Sequence, residues 1–86
     1  MSNKRIFYLY SNSACPFCTK AKDLLDQRGH THIAMELSWD HPTLARLKEA
    51  MEWETIPMVF ELRGRDHKFI GGYADLVECL GVENSE

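Results

Sequence analysis

The stretch IFYLYSNSACPFCTK, residues 6–20, sets two cysteines between an apolar run and a helical pattern. Residues 5–10 are rich in β-branched and aromatic side chains and almost continuously apolar, which predicts a strand buried on both faces. Residues 16–28 carry apolar side chains at helical spacing, which predicts a helix. Cys15 and Cys18 therefore lie where a strand gives way to a helix.

The chain beyond this helix continues the alternation of element types. Gly29 is the residue expected just past a helix end, and residues 33–37 alternate with a period of two, which predicts a second strand. Asp40 then supplies an N-cap for a second helix, in whose first turn Pro42 is tolerated. Apolar side chains follow Pro42 at helical spacing on one face.

The remainder of the chain predicts a hairpin and a short helix. Residues 57–62 and 68–70 flank the turn-forming cluster at 64–66, a pattern typical of an antiparallel hairpin. A helical pattern at 76–80 is closed by Gly81. In the order βαβαββα, two strands joined through a helix run parallel, and the hairpin adds antiparallel strands. We expect an α/β fold with a mixed four-stranded sheet flanked by helices.

Composition limits the class of protein. For 86 residues we expect one domain, spanning 1–86, with a modest core. A net charge of -3 does not favour nucleic acid, and no apolar run is long enough to predict a membrane span. The first ten residues lack signal-peptide features, so we expect a cytoplasmic protein. Three cysteines, an odd number, fit a reducing compartment better than a disulfide scaffold.

The paired cysteines can hold a metal, exchange disulfides or fill a core. A structural zinc site needs four ligands, commonly as two close pairs. The other candidate ligands form no second pair with zinc-finger spacing; they are Cys79, His30, His32, His41 and His67. On a strand, His30 and His32 are expected to share one exposed face. Core packing suits Cys18 but not Cys15, which opens the helix, and we expect no metal site.

The position of Cys15 at the start of the helix gives a physical reason to expect redox chemistry. At a helix N-terminus the sulfur of Cys15 faces N–H groups without helical acceptors, and these groups with the helix dipole favour its thiolate form. The thiolate is the form that attacks a disulfide, so Cys15 is the predicted nucleophile. Cys18 lies one helical turn further on, within reach of a disulfide, and would resolve the mixed disulfide. Pro16 suits the first helical turn.

Three separated segments resemble the dithiol glutaredoxins of the thioredoxin-like superfamily. They are CPFC at 15–18, TIP at 55–57 and GGYADL at 71–76, which resemble the family's Cys-Pro-Tyr-Cys, Thr-Val-Pro and Gly-Gly-Cys-Asp-Asp-Leu segments. The resemblance spans nearly the whole chain. It implies a thioredoxin-like fold and a thiol-disulfide oxidoreductase that uses glutathione as co-substrate.

The resemblance also implies a glutathione site. Pro57 would be cis, and the backbone of Ile56 would bind a cysteinyl backbone as an added strand. The exposed N–H groups after Gly72, with Asp75 as a capping carboxylate, would hold the γ-glutamyl end. The binding residues implied in this way are Asn12, Phe17, Thr55, Ile56, Pro57, Gly72, Tyr73, Ala74 and Asp75.

At three positions the chain departs from the family pattern, and these departures weaken the expected binding of the glycine carboxylate of glutathione. Asn12 stands where many glutaredoxins have a lysine, Glu54 where a basic or polar neighbour would help, and Met58 where glutamine is frequent. Each lost charge-assisted hydrogen bond costs roughly 1.5–3 kcal/mol. Other cations that could hold the glycine carboxylate are Arg46, Lys48 and Lys20. Cys79, in the last helix, is expected to be a small buried hydrophobe.

The leading hypothesis is an enzyme in which Cys15 attacks, Cys18 resolves and glutathione regenerates the dithiol. Its expected partners are glutathione and disulfide-containing or glutathionylated proteins, and we expect a monomer. One alternative is a hydrogen donor to ribonucleotide reductase, recharged by thioredoxin reductase. Another is a dimer that carries an iron–sulfur cluster on two Cys15 thiolates and glutathione, which Pro16 disfavours because cluster-carrying members usually have Gly or Ser there.

Overall fold

The strands and helices follow the predicted order. The computed structural model describes residues 5–81. Its elements are β1 (Ile6–Ser11), α1 (Pro16–Gln27), β2 (Thr31–Glu36), α2 (Pro42–Met51), β3 (Met58–Arg63), β4 (Asp66–Gly71) and α3 (Tyr73–Gly81). Gly29, just beyond α1, has a φ of 76°, the left-handed region that glycine enters most easily. Within residues 5–81, no helix is long and apolar enough to cross a membrane.

One mixed sheet of four strands organises the chain. Its strand order is β2-β1-β3-β4, with β1 parallel to β2 and antiparallel to β3. The hairpin of β3 and β4 turns through Gly64, whose φ of 63° has the sign that primed hairpin turns require. The predicted α/β architecture is confirmed. The central strand β1 carries the chain from the middle of the sheet into the cysteine loop.

Two core clusters lie on opposite faces of the sheet, because successive strand side chains alternate in direction. Phe7 and Leu9 of β1 pack with the apolar faces of α1 and α3, and all these core residues are fully buried. The other face carries Met58 and Phe60 of β3, packed with Leu44 of α2. The expectation that β1 is buried on both faces is wrong at its start, because Ile6 is 43% exposed.

Two sequence-based expectations for histidines are corrected. His30 is not exposed; it lies just before β2, only 7% exposed, and its Nδ1 accepts a hydrogen bond from the Arg5 N–H at 3.0 Å. His32 is half-buried and places Nε2 2.8 Å from Oδ1 of Asp26. Each ring therefore has a hydrogen-bond partner outside β2, which the alternation of side chains along a strand could not predict.

The start of α2 also differs from the expectation. The N-cap is His41, whose Nδ1 accepts from the Thr43 N–H at 3.1 Å. Asp40 instead accepts a hydrogen bond from the Ser38 hydroxyl at 3.0 Å. Because Pro42 occupies the first helical position, the cap falls on the residue immediately before it, and Asp40 is one residue too early.

A buried ion pair ties the start of the chain to β3. Glu61 is 3% exposed and accepts hydrogen bonds from Arg5 Nε at 2.7 Å and Arg5 Nη2 at 2.9 Å. Arg63 Nε adds a third at 3.0 Å. The pKa of Glu61 is lowered, first by the hydrogen bonds from Arg5 and against the opposing effect of burial. The folded state therefore favours the ionised carboxylate.

We expect Glu61→Gln to destabilise the protein by about 1–3 kcal/mol at pH 7, because it leaves the half-buried Arg5 guanidinium without a charged acceptor. Since the folded pKa of Glu61 lies below its unfolded value, the stabilisation is present above about pH 4.3 and is lost as the pH falls through the folded pKa. Urea unfolding at pH 7 and at pH 3 measures the free energy of unfolding of wild type and variant. The difference between the two proteins should be smaller at pH 3. Glu49→Gln, at an exposed position of α2, is the control. An equal difference at both pH values would contradict the assignment.

Candidate active site

The loop between β1 and α1 is held by Asn12. Its backbone oxygen accepts from the Cys15 N–H at 3.0 Å, and its Oδ1 accepts from the Ala14 N–H at 2.9 Å. Its Nδ2 donates to the Leu37 carbonyl at 2.8 Å, just past the end of β2. Asn12 thus fastens the cysteine loop to the neighbouring strand, and its predicted contact with glutathione stays a prediction.

Cys15 is the N-cap of α1, as the sequence predicted. Its backbone is extended, with φ -101° and ψ 109°, and Pro16 occupies the first helical turn. The Cys18 N–H donates to Cys15 Sγ at 3.2 Å. The sulfur thereby takes the place of the oxygen that commonly caps a helix, at the end where backbone dipoles favour negative charge. Cys15 is only 7% exposed, so a substrate has a narrow approach to its sulfur.

Cys18 has a contrasting environment. It is 1% exposed, in the core cluster that contains Leu44 and Met58. Burial, followed by the hydrogen bond with Cys15, raises the pKa of the Cys18 thiol to about 12. Both cysteines are free thiols, and Cys18 keeps its proton at neutral pH. The pair therefore combines a sulfur at the helix N-terminus with a buried thiol that can donate a hydrogen bond to it.

The loop before β3 lies against this pair. The Ile56–Pro57 peptide bond is cis, as the family resemblance implied. Cys15 Sγ lies 3.8 Å from the Ile56 carbonyl oxygen. Within the described part of the chain, the Ile56 N–H has no hydrogen-bond partner. A backbone donor and a backbone acceptor thus lie beside the sulfur of Cys15.

The start of α3 forms the opposite wall. Gly71 has a φ of 124°, and a Cβ there would lie 2.5 Å from Asp75 Oδ2, so a side chain has no room. Asp75 Oδ2 accepts from the Gly72 N–H at 3.0 Å, which confirms its capping role. The first helical bond joins the Leu76 N–H to the Gly72 carbonyl, which leaves the preceding N–H groups of α3 without helical acceptors. This end of α3 suits an anionic group.

These segments enclose a cleft of about 370 Å³. It is lined by Phe17, Trp53, Thr55, Ile56, Pro57, Gly72, Tyr73, Ala74 and Asp75. The structure thus brings together all the binding residues implied by resemblance except Asn12. Of the cations considered from the sequence, Lys20 places Nζ 5.1 Å from the Phe17 ring centroid, and neither Arg46 nor Lys48 lines the cleft.

Trp53 is the lining residue that sequence reasoning missed. It follows Glu52, a non-glycine residue with a φ of 53°, and its N–H donates to the Lys48 carbonyl at 2.9 Å. Its ring meets Phe69 edge-on, with centroids 5.3 Å apart. The available signal was a large aromatic residue two positions before Thr55, in an otherwise polar segment.

Cys79 does not line the cleft, and the expectation that it is a small buried hydrophobe is not met. It is partly exposed, and its Sγ lies 3.3 Å from Arg5 Nη2. Among residues 5–81, no group of three or more His, Cys, Asp or Glu side chains is arranged to hold a metal ion.

The sequence has identifiable relatives. The glutaredoxin family model matches residues 7–66. Glutaredoxin-C6 of Oryza sativa subsp. japonica is 39% identical over 70 residues, which cover 78% of this chain and 59% of the rice protein. Glutaredoxin 1 of Rickettsia typhi is 32% identical over 79 residues, covering 86% of this chain and 72% of that protein. The chain spans less than three fifths of the length of the rice protein and of a Solanum lycopersicum glutaredoxin, at 59% and 58%.

Solved structures agree with the sequence relatives. A wheat glutaredoxin is similar with a TM-score of 0.71 and 33% identity, over 88% of this chain and 70% of the wheat chain. The holo form of glutaredoxin C1 from Populus tremula × tremuloides has a TM-score of 0.74 and 30% identity, over 91% of this chain and 75% of that one. These similarities confirm the predicted thioredoxin-like fold. Together with the match over residues 7–66, they show that the chain belongs to the glutaredoxin family.

Proposed function

We propose that the protein is a glutathione-dependent thiol-disulfide oxidoreductase. The observation that carries this proposal is the asymmetry of the cysteine pair. At the N-terminus of α1, Cys15 Sγ accepts a hydrogen bond from the Cys18 N–H. Burial raises the pKa of Cys18 and so keeps it in its thiol form. Membership of the glutaredoxin family supports the same function.

The reaction begins when the Cys15 thiolate attacks one sulfur of a substrate disulfide. A bond forms between the two sulfurs, the substrate disulfide breaks, and the leaving thiolate takes up a proton. Cys18 then loses its proton to the second departing sulfur and attacks Cys15 Sγ, so that the substrate leaves as a dithiol and the protein holds a disulfide. Two glutathione molecules reduce that disulfide in two exchanges, and they leave as oxidised glutathione. The potentials of glutaredoxins lie near that of the glutathione pool, so exchange proceeds in either direction.

The cleft suits part of a glutathione molecule. The N–H groups at the start of α3 provide a site for the γ-glutamyl carboxylate, and Asp75 provides a negative partner for the ammonium group. The N–H and carbonyl of Ile56, whose oxygen lies 3.8 Å from Cys15 Sγ, would pair with the cysteinyl backbone. Among the described lining residues no Lys or Arg is present to hold the glycine carboxylate. We therefore expect weak binding of that end.

The same lack of a lining cation favours one alternative. A protein that binds glutathione weakly can instead receive electrons from thioredoxin reductase and pass them to ribonucleotide reductase. Rates of reduction of the oxidised protein by glutathione and by thioredoxin reductase distinguish the two proposals. Negligible reduction by the reductase would leave glutathione as the reductant.

We expect Cys15→Ser to abolish reduction of a glutathionylated peptide, by at least about 10³-fold, because a hydroxyl at neutral pH is not an effective nucleophile toward a disulfide. An assay coupled to glutathione reductase, followed by NADPH absorbance, measures this loss. Cys79→Ser is the matched control and should retain wild-type activity, because Cys79 lies outside the cleft. Activity that survives Cys15→Ser would refute the proposed function.

The raised pKa of Cys18, about 12, predicts slow alkylation of this thiol. Because a raised pKa lowers the ionised fraction at any given pH below it, Cys18 at pH 8 should react on the order of 10³-fold more slowly than free cysteine. Short pulses of iodoacetamide at pH 7–11, followed by peptide mass spectrometry of the reduced protein, measure the rate. Alkylation of Cys18 as fast as free cysteine at pH 8 would contradict the prediction.

We expect Glu54→Arg to lower the KM for glutathione by about three- to tenfold, because it places a cation beside Thr55 at the cleft. The gain should shrink in 0.5 M NaCl, which screens exposed charges. Glu49→Arg makes the same charge change on α2, away from the cleft, and should have little effect. An equal decrease of KM in both variants would show a general charge effect instead of a local clamp.

A further inference from the structure

Three aromatic residues contribute their rings to the lining of the cleft, and together we call them its aromatic wall. Phe17, Trp53 and Tyr73 all line it. The rings of Phe17 and Tyr73 are tilted to each other at 37° with centroids 6.0 Å apart, and Phe17 is 53% exposed. Trp53 and Tyr73 are half-buried, and aromatic side chains grouped at a concave site indicate a binding surface.

Trp53 is the part of this wall that is fixed before a ligand binds. Its ring packs edge-on against Phe69, and its backbone N–H is bonded to the Lys48 carbonyl. On the other side the indole approaches the start of α3 closely: a Cβ on Gly72 would lie 3.7 Å from Trp53 Cζ2. The indole is therefore held between β4 and α3, and little side-chain entropy remains to be lost on binding.

Trp53 can contact a ligand through its aromatic ring but not through its indole N–H. Trp53 Nε1 is buried and has no hydrogen-bond partner among the described residues. An N–H in this position is not offered to a ligand at the open cleft. The contact that Trp53 can make is apolar, so a phenylalanine ring at this position would serve the same purpose.

The carboxylates near Trp53 disfavour an acidic side chain beside its ring. Asp75 is the one Asp, Glu, Lys or Arg among the described lining residues. Glu54, directly after Trp53, is exposed. The groups that suit an anion lie elsewhere: Lys20 at the Phe17 ring and the backbone N–H groups at the start of α3. An acidic side chain beside the indole would therefore meet carboxylates and lose hydration, whereas the burial of an apolar side chain there is favourable.

We propose that the cleft selects disulfides of cysteinyl peptides that carry a large apolar or aromatic side chain next to the cysteine, and that Trp53 determines this specificity. This inference rests on the thiol-disulfide exchange proposed above. In that step Cys15 Sγ bonds to the peptide cysteine sulfur, the bond to its former partner breaks, and the released thiolate takes up a proton. Glutathione supplies the electrons for the next turnover.

The test uses short neutral-ended peptides that contain one cysteine in a mixed disulfide with 2-mercaptoethanol. The residue on either side of the cysteine is varied among Phe, Leu, Ser and Glu, and kcat/KM is measured at a fixed saturating concentration of glutathione. We expect the Phe and Leu peptides to exceed the Ser peptide by at least about tenfold on one side of the cysteine, and the Glu peptide to be slowest. The preference should lie mainly in KM, since the wall acts in binding.

Variants of Trp53 test whether the peptide preference depends on the aromatic wall and not on the cysteine pair. Trp53→Ala should reduce the Phe-to-Ser ratio to within about twofold, and Trp53→Phe should retain it. Trp39→Ala removes an exposed tryptophan outside the lining, 56% exposed, and should leave the ratio unchanged. If Trp53→Ala fails to fold by circular dichroism, Trp53→Gln removes the ring while it keeps much of the side-chain volume, and the same loss of preference is expected.

The outcomes separate this inference from the proposed function. If wild type reduces every peptide at rates within twofold of one another, or if the preference survives in the folded Trp53 variants, the specificity inference is overturned while the exchange reaction stands. If wild type reduces none of the peptides and no small disulfide such as hydroxyethyl disulfide, both proposals fail.

Discussion

The hydrogen bond from the Cys18 N–H to Cys15 Sγ connects the folding of the chain to its chemistry. The contact caps α1, because it satisfies a donor that has no helical acceptor. It also places the sulfur at the N-terminal end of α1, toward which the backbone N–H groups point. Pro16 begins α1 immediately after Cys15. The same local geometry therefore stabilises the helix and positions the sulfur that we propose as the nucleophile.

Strand pairing brings the other two segments to this sulfur. Tyr10, near the end of β1, pairs with Met58 at the start of β3, so the cis peptide directly before Met58 lies beside the cysteine loop. Val59 pairs with Gly71 at the end of β4, which places the start of α3 at the same end of the sheet. Segments far apart in sequence meet because the strands that carry them share one register.

Sequence reasoning succeeded where a feature is encoded locally. The element order follows from apolar periodicity, and the motif positions follow from cysteine, proline and glycine residues whose backbone requirements are specific. It placed the N-cap of α2 one residue too early, and otherwise it failed mainly where a contact joins distant segments. His30 is buried with its Nδ1 bonded to the Arg5 N–H, and Trp53 lines the cleft because Phe69 and α3 hold its ring. Such contacts depend on three-dimensional packing that no short pattern reports.

The cysteine pair and most of the cleft come from different segments of the chain. The environment of Cys15 and Cys18 arises from α1 and the core beneath it, whereas most residues that line the cleft come from the start of α3 and from the loop that carries Trp53. A substitution in that loop can therefore change which disulfide is bound without altering either sulfur. Trp53 and Glu54 both belong to that loop. Under the proposed specificity, a substitution at either residue would change the preferred disulfide, while the capped sulfur of Cys15 and the buried thiol of Cys18 are retained.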